Sequence, residues 1–269
     1  MEKIQGTPDC YIVRNFISDM PSDDIIKSLN SEIEWNDLIS YGHTNIAKER
    51  VGVFQGKVND EYTPWLRCPS INNQEVKQFT PTVSIILQKI CDYFPNNNTN
   101  KLNICKIQCY KNNTSSIQPH SDKIIDIEDD IPIYNLRFGQ TRIFRLINKL
   151  DVNNIIDIEM SNNTLLILGL KTNNEFTHSV PVLSSNKHDT PSYSLIYRAS
   201  VTFKLNLEEG YLFGPRTMFK TKEELDDKIK SNSLPNRPPQ NDLAPLFRIE
   251  NTQHITLNGL YGDFINKSF

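Results

Sequence analysis

The chain has 269 residues, a formal net charge of −3 at pH 7, and 38% hydrophobic against 23% charged residues. This apolar content is too high for a disordered chain, so we expect one large folded core with appendages. The slightly negative charge excludes nucleic-acid binding by bulk electrostatics and leaves room only for a short basic patch. No apolar stretch reaches the length of a membrane span, and the first residues lack the order of a signal peptide. These features predict an intracellular protein, in the cytoplasm or nucleus, with no membrane association.

The five cysteines do not have the pattern of a disulfide-linked or zinc-binding protein. They are odd in number and include no Cys-x-x-Cys pair, so neither a set of disulfides nor a structural zinc knuckle is predicted. We expect them to be reduced and mostly buried.

Two amphipathic helices are predicted in the N-terminal part of the chain. The first occupies residues 22–33 and the second residues 81–94, where a proline suits the first helical position. In both segments apolar residues recur at intervals of three and four, which is the spacing of one buried helix face.

From residue 102 onward the hydrophobic period changes to two. Cys105, Ile107 and Cys109 fall on one face of an extended segment, and the residues between them fall on the other. Further strands are predicted at residues 133–138, 142–147, 155–159, 164–170, 175–180 and 193–205. Many short strands with no helix between them are typical of two facing antiparallel sheets of the jelly-roll kind.

The predicted fold is therefore mainly β with flanking helices (α+β). Residues 1–101 hold the two helices, which we expect to buttress one outer face. Residues 102–205 form the core, a double-stranded β-helix or jelly roll. Residues 206–269, with a charged helix near 220–230, form a C-terminal extension that packs on the core, because their apolar residues are too few to fold alone.

One small group of side chains predicts a metal site. His120 and Asp122 stand two residues apart, so on an extended backbone both leave the same face and can converge on one cation. His178 supplies a third ligand from a later strand, since distant strands meet across the mouth of a jelly roll. Two imidazoles and one carboxylate that leave other positions open form the facial arrangement of non-haem Fe(II) oxygenases. A zinc hydrolase could use the same donors.

The residues around this group carry a family resemblance. Residues 108–110 (Gln-Cys-Tyr) precede the His-x-Asp pair, and residues 198–204 (Arg-Ala-Ser-Val-Thr-Phe-Lys) follow His178. The chain thereby resembles the AlkB-like Fe(II)/2-oxoglutarate dioxygenases, whose pattern reads Asn-x-Tyr, His-x-Asp, His and Arg-x-Asn/Ser-x-Thr-x-Arg. The resemblance extends from about residue 11 to residue 205, and it favours an oxygenase over a hydrolase.

The resemblance implies the cofactors and the residues that hold them. Fe(II) would be bound by His120, Asp122 and His178, which form the catalytic centre, with 2-oxoglutarate and O₂ as co-substrates. Arg198 would pair with the distal carboxylate of 2-oxoglutarate, because a guanidinium fork matches a carboxylate and stays protonated when buried. The full set expected to contact the co-substrate is Gln108, Tyr110, Arg198, Ser200 and Lys204.

The resemblance also implies a substrate lid in residues 48–65. Arg50 would hold a phosphate there, and Tyr62 or Trp65 would stack on an extruded base, which are the two contacts that a base-flipping enzyme needs. The leading expectation is thus a monomeric enzyme that oxidatively demethylates, or more generally dealkylates, bases of DNA or RNA.

Three departures from the family pattern bear on that expectation. Gln108 replaces the family's Asn, and Lys204 replaces its second Arg. Ile124 stands two positions after Asp122, where many members carry an acidic residue that recognises the damaged base. The alternative is therefore a hydroxylase of a protein side chain or a small molecule with the same cofactors. A cupin-like binding protein with a degenerate metal site is a third reading, which the intact ligand set disfavours.

Overall fold

The computed structural model describes residues 1–39, 46–67, 75–183, 190–206, 210–234 and 243–266. The strands in chain order are β1 (Glu2–Lys3), β2 (Cys10–Arg14), β3 (Asn36–Ile39), β4 (Ile46–Gly56), β5 (Tyr62–Trp65), β6 (Val76–Gln78), β7 (Ile104–Tyr110), β8 (Ile117–His120), β9 (Ile133–Gly139), β10 (Arg142–Asn148), β11 (Ile155–Met160), β12 (Thr164–Leu168), β13 (Phe176–Val180), β14 (Ser192–Arg198), β15 (Thr202–Leu205) and β16 (Leu212–Phe213). The helices are α1 (Ser22–Glu32), α2 (Pro81–Tyr93), α3 (Leu170–Glu175), α4 (Lys222–Lys230), α5 (Ala244–Glu250) and α6 (Leu257–Asn266).

Two mostly antiparallel sheets enclose the core. The large sheet has the order β1-β2-β12-β9-β14-β7-β4-β3, with β6 added in parallel to β4, and the small sheet has the order β11-β10-β13-β8. Apolar side chains of both sheets, such as Leu166 from β12 and Phe144 from β10, share one buried cluster. This arrangement is the jelly roll predicted from the strand spacing, and the mainly β fold with flanking helices is confirmed.

The two predicted N-terminal helices are confirmed and cover the outer face of the large sheet. Ile25 and Leu29 of α1 and Ile90 of α2 are fully buried. They share a cluster with Leu136 of β9 and Leu195 of β14. Because the helices occupy this face, only the opposite face of the large sheet is left to form a site.

The alternation predicted for β7 is present and divides that strand between core and cavity. Cys105, Ile107 and Cys109 face the helices in the buried cluster. Gln108 and Tyr110 face the interior between the sheets, where they line a cavity. The period of two therefore places the polar side chains of this strand at the candidate site.

The prediction of a single strand over residues 193–205 is wrong. The chain leaves the large sheet after Arg198, the last residue of β14, and enters a three-stranded sheet, β16-β15-β5, at Thr202. Between them the backbone bonds to a loop instead: Glu128 N–H donates to Ala199 O at 2.8 Å and Val201 N–H donates to Asp126 O at 2.9 Å. The side chains on either side of this break therefore belong to different layers.

The C-terminal residues add two further apolar clusters. In one, Tyr211 and Phe213 pack with Leu205. In the other, Phe247 of α5 and Tyr261 of α6 are buried against Ile125. The division of the chain at residues 101/102 and 205/206 stays a prediction. Within the described ranges, no helix combines the length and apolar character needed to cross a bilayer.

Two isoleucines of α2 test the packing of the helix layer. Ile90 is fully buried, whereas Ile85 on the same helix is 44% exposed. Ile90→Ala should lower the free energy of unfolding by about 2–5 kcal/mol, because it removes buried methyl groups and leaves a cavity. Ile85→Ala should change it by less than about 1 kcal/mol. Urea unfolding of both variants measures the difference, and equal losses would contradict this placement of α2.

Candidate active site

A cavity lies between the two sheets and opens to solvent. Strands β7, β9 and β14 supply alternate residues to one wall. On this wall lie Lys106, Gln108, Tyr110, Ile133, Asn135, Arg137, Ser194, Ile196 and Arg198. The small sheet supplies the other wall, which includes His120 and His178.

The predicted metal ligands converge in this cavity. His120 ends β8 and pairs directly with His178 of β13, so their ring centroids lie 4.4 Å apart. Asp122 follows β8 by two residues. One donor atom from each of the three side chains lies within 4.8 Å of the others, and this cluster could hold a divalent cation.

Neighbouring groups orient the two rings. His120 Nδ1 lies 2.9 Å from Gln118 O, an arrangement that leaves Nε2 for a metal, as second-sphere bonds do at many metal sites. Phe144 stacks on the His178 ring with centroids 5.1 Å apart and an interplanar angle of 17°. Both rings are thus held toward the same point in the cavity.

The environment sets the charge state that metal binding needs. Burial lowers the pKa of His178 to about 4. Burial, followed by the charge of His178, lowers the pKa of His120 well below its usual value of 6.5. Burial is the largest single influence on Asp122 and opposes its ionisation, but the charge of Arg198, the two imidazoles and the hydrogen bond from Arg198 together outweigh it, so the pKa of this carboxyl lies below its usual value. Near neutral pH the site therefore offers two neutral imidazoles and one carboxylate, the forms that coordinate a cation.

Arg198 is bonded to the carboxylate of the triad. Its Nε and Nη2 donate to Asp122 Oδ2 at 3.0 and 2.6 Å. The two side chains are 6% and 13% exposed, so this is a buried ion pair that links β14 of the large sheet to the end of β8. Both bonds use Oδ2, so they leave Oδ1 available for a metal.

The structure separates the residues expected to contact the co-substrate. Gln108, Tyr110 and Arg198 line the cavity. Ser200 and Lys204 do not, because β14 ends at Arg198. Ser200 Oγ donates to Trp65 O at 2.6 Å, and Lys204 Nζ lies 4.3 Å from the centroid of the Trp65 ring. The break after Arg198 leaves Ser200 in the connection to the three-stranded sheet and Lys204 within that sheet, so a contact of either with the co-substrate stays a prediction.

The three residues expected to form the substrate rim also lie apart. Arg50 on β4 is 8% exposed, pairs in register with Tyr110, and donates to Ser116 O at 3.2 Å. Tyr62 lies on β5 with its ring edge-on to Phe213, at 5.3 Å between centroids. Trp65 lies at the other end of β5 and is half-buried. None of the three lines the cavity.

Arg137 is the cavity residue that sequence reasoning missed. It lies on β9, is 1% exposed, and faces the same space as Asn135 and Arg198. The signal was present in the alternation of residues 133–139, where Ile133, Asn135 and Arg137 share a face. An arginine on an otherwise buried strand indicates an internal partner or ligand.

The metal-binding loop is held from two directions. On the inner side, Asn173 of α3 accepts from Asp122 N–H at 2.9 Å and donates to Asp122 O at 2.8 Å. On the outer side, Asn251 Oδ1 accepts from Ser121 N–H at 2.9 Å, next to the C-terminal end of α5. The C-terminal extension thus supports the loop that carries Asp122.

More bonds join the extension to this loop. Glu250 Oε1 accepts from Ile124 N–H at 3.0 Å, and Glu250 Oε2 accepts from Tyr261 O–H. Lys123 Nζ donates to Phe247 O at 3.2 Å and to Asn251. Ile124 itself packs among the apolar side chains of the extension.

Comparison with known proteins assigns the family. The sequence profile of the 2OG-Fe(II) oxygenase superfamily matches residues 9–204, and the chain belongs to this superfamily. A solved structure titled "The structure of OsALKBH1" is similar to the chain with a TM-score of 0.51 and 14% sequence identity, covering 71% of this chain and 98% of that one. This likeness concerns the fold, which is AlkB-like. The search of curated proteins gave no match.

Membership in this superfamily makes the chain a dioxygenase that uses Fe(II), 2-oxoglutarate and O₂, as expected. The donor chemistry fits this assignment, because two neutral imidazoles and a carboxylate form the facial set of non-haem Fe(II) oxygenases. The matched region ends at residue 204, so the extension that supports the Asp122 loop lies beyond it.

The Asp122 carboxylate gives the direct test of the metal centre. Asp122→Asn removes a charged ligand, so the affinity for Fe(II) or Co(II) should fall. Loss of a hydrogen-bond partner of a metal ligand lowers affinity by about 10–100-fold, and loss of the ligand itself should lower it further. Asp157→Asn is the matched control, because Asp157 is a half-exposed carboxylate on β11 paired with Arg145. Anaerobic titration calorimetry measures both affinities. Equal affinities in the two variants would rule out Asp122 as a ligand.

The support from the extension can be tested separately. Asn251→Ala removes the acceptor of Ser121 N–H, so the loop should loosen and metal affinity should fall by about 10–100-fold. Gln253→Ala, an exposed change two residues away, should leave metal affinity unchanged. If both variants bind metal as tightly as the unaltered protein, the extension does not position this loop.

Proposed function

We propose that this dioxygenase removes alkyl groups from the bases of DNA or RNA. The observation that carries the proposal is the convergence of His120, Asp122 and His178 in a cavity of an AlkB-like fold. When bound, Fe(II) and 2-oxoglutarate activate O₂ and supply the oxidant that hydroxylates an N-linked alkyl carbon, and the unstable product loses an aldehyde.

The chain contributes binding, orientation and a dry environment. His120, Asp122 and His178 hold the metal on one side, so positions on the other side stay open. Phe144 keeps the His178 ring in place. Leu166 and Leu168 of β12 line the cavity, and apolar walls of this kind limit the access of water to a reacting centre.

One surface outside the cavity supports nucleic acid as the substrate. Trp65 is half-buried, and the Lys204 ammonium lies 4.3 Å from its ring centroid. A cation beside an aromatic face matches a phosphate next to a base. Trp65 thus retains its proposed role in substrate binding, with Lys204 beside it. For Arg50, which is 8% exposed, and for Tyr62, a role in substrate binding stays a prediction.

A second candidate function is hydroxylation of a protein side chain or a small molecule. Ile124 favours it, because this position, which carries a base-recognising acid in many AlkB-like enzymes, packs against the C-terminal extension instead. The same metal centre would serve either substrate class.

Product analysis decides between the two. Purified protein with Fe(II), 2-oxoglutarate and O₂ should convert at least one of a panel of N-methylated DNA and RNA oligonucleotides. The product should be lighter by one CH₂ unit, because hydrogen replaces the methyl group, and formaldehyde should be released. The Asp122→Asn variant should be inactive on every member. Turnover of 2-oxoglutarate without any oligonucleotide product would reject the nucleic-acid proposal and favour the hydroxylase.

The proposed contact surface adds a binding test to the same experiment. Trp65→Ala should weaken binding of the converted oligonucleotide by about 1–3 kcal/mol if a base stacks on the ring. Tyr93→Ala provides the control, because Tyr93 is a 48% exposed aromatic at the end of α2. Equal binding by both variants would exclude Trp65 from the contact.

A further inference from the structure

Arg198 has little capacity left for a ligand carboxylate. Two of its N–H groups already donate to Asp122 Oδ2, and Nη1 donates to Ile196 O at 3.4 Å. Because the pair is buried, separating it would leave an uncompensated charge on each side. The guanidinium that sequence reasoning assigned to the co-substrate is thus occupied by a metal ligand.

Arg137 is a second buried guanidinium in the same cavity. It is 1% exposed, and its Nη1 donates to Ser192 Oγ at 2.9 Å. Its Nε has no hydrogen-bond partner. Among the described residues, no ion pair joins Arg137 to a carboxylate. A buried cation without an anion is costly unless a ligand supplies one.

The surroundings of Arg137 are also cationic. Its guanidinium carbon lies 5.1 Å from the centroid of the Tyr110 ring, and that of Arg142 lies 5.4 Å from the same centroid. Arg142 is fully buried, and its guanidinium donates to the backbone carbonyls of Asn112, Ser115 and Pro181. The guanidinium carbon of Arg50, which is also buried, lies 6.0 Å from the Tyr110 centroid. Three buried guanidinium groups around one aromatic ring favour an anion at this end of the cavity.

The strand register gives the spacing between the two ends. Arg137 lies directly opposite Ser194 of β14, and Arg198 lies four residues farther along that strand on the same face. Four residues of extended chain span about 13 Å. Since both side chains are long and point into one cavity, their head groups can flank a ligand that is shorter than this distance.

We infer that Arg137, with Tyr110 beside it, receives the distal carboxylate of 2-oxoglutarate, and that Arg198 is a positioning residue that holds Asp122 for the metal. 2-Oxoglutarate carries one carboxylate beside its keto group and one at the far end, so it presents an anion to each end of the cavity. The inference rests on the metal centre proposed above and on no choice of oxidised substrate.

The test compares two 2-oxo acids that differ at the far end. Pyruvate has the keto acid group of 2-oxoglutarate but no distal carboxylate, so a distal contact affects only the longer ligand. Anaerobic calorimetry on Fe(II)-loaded protein measures both affinities, and a separate titration measures Fe(II) itself. The variants are Arg137→Gln, Arg137→Lys and Arg198→Gln, with Arg145→Gln as the control, because Arg145 is a half-exposed arginine on β10.

Arg137→Gln should lower the affinity for 2-oxoglutarate by at least about 100-fold, because it removes one partner of a buried charge pair. It should leave pyruvate and Fe(II) affinities within about twofold of the unaltered protein. Arg137→Lys should restore part of the loss, because it keeps the charge but not the bidentate fork. Arg198→Gln should instead lower the affinity for Fe(II) by about 10–100-fold.

Two results would overturn the inference in distinguishable ways. In the first, both Arg137 variants bind 2-oxoglutarate tightly, and only Arg198→Gln loses 2-oxoglutarate affinity while its Fe(II) affinity is unchanged. This result would assign the distal carboxylate to Arg198. An unaltered protein that binds no divalent metal would reject the metal centre and this inference together. Circular dichroism of each variant shows that it is folded, and the Lys variant keeps the test valid if Arg137→Gln does not fold.

Discussion

The buried ion pair between Asp122 and Arg198 is the interaction on which the site depends. It connects a loop after a strand of the small sheet to the last residue of a central strand of the large sheet. The guanidinium contributes most among the groups that together keep the carboxylate ionised despite burial, and it occupies one of its oxygens. The other oxygen can then face the two imidazoles, which burial keeps neutral. One salt bridge thus sets both the direction and the charge of a metal ligand.

This pairing also determines how charge is distributed in the cavity. The protein places one carboxylate there, at the metal end, together with the guanidinium groups of Arg137 and Arg198 and the ammonium of Lys106. Arg198 is neutralised by Asp122, whereas the ion pairs among the described residues include none for Arg137. Such an interior favours anionic ligands, and the dianionic co-substrate of this superfamily matches it.

The extension adds support from outside the matched family region. Glu250 of α5 and the adjacent Asn251 accept hydrogen bonds from two backbone N–H groups of the loop that carries Asp122, while Asn173 holds the same loop from within. Backbone groups in a loop near a buried site need such partners. The extension therefore contributes to the geometry of the ligand loop, and Ile124 of this loop packs against it.

The sequence by itself determined the fold class, the two buttressing helices and the three converging ligands, because hydrophobic period and the His-x-Asp spacing are local properties of the chain. Tertiary structure decided which cation meets which anion. The change of sheet after Arg198 carried Ser200 and Lys204 away from the cavity, and the pairing of β9 with β14 brought Arg137 into it. The alternation of residues 133–139 indicates only that Arg137 shares a face with Asn135. Which distant strand lies alongside, and where the hydrogen-bonded ladder between two strands ends, has no local signature.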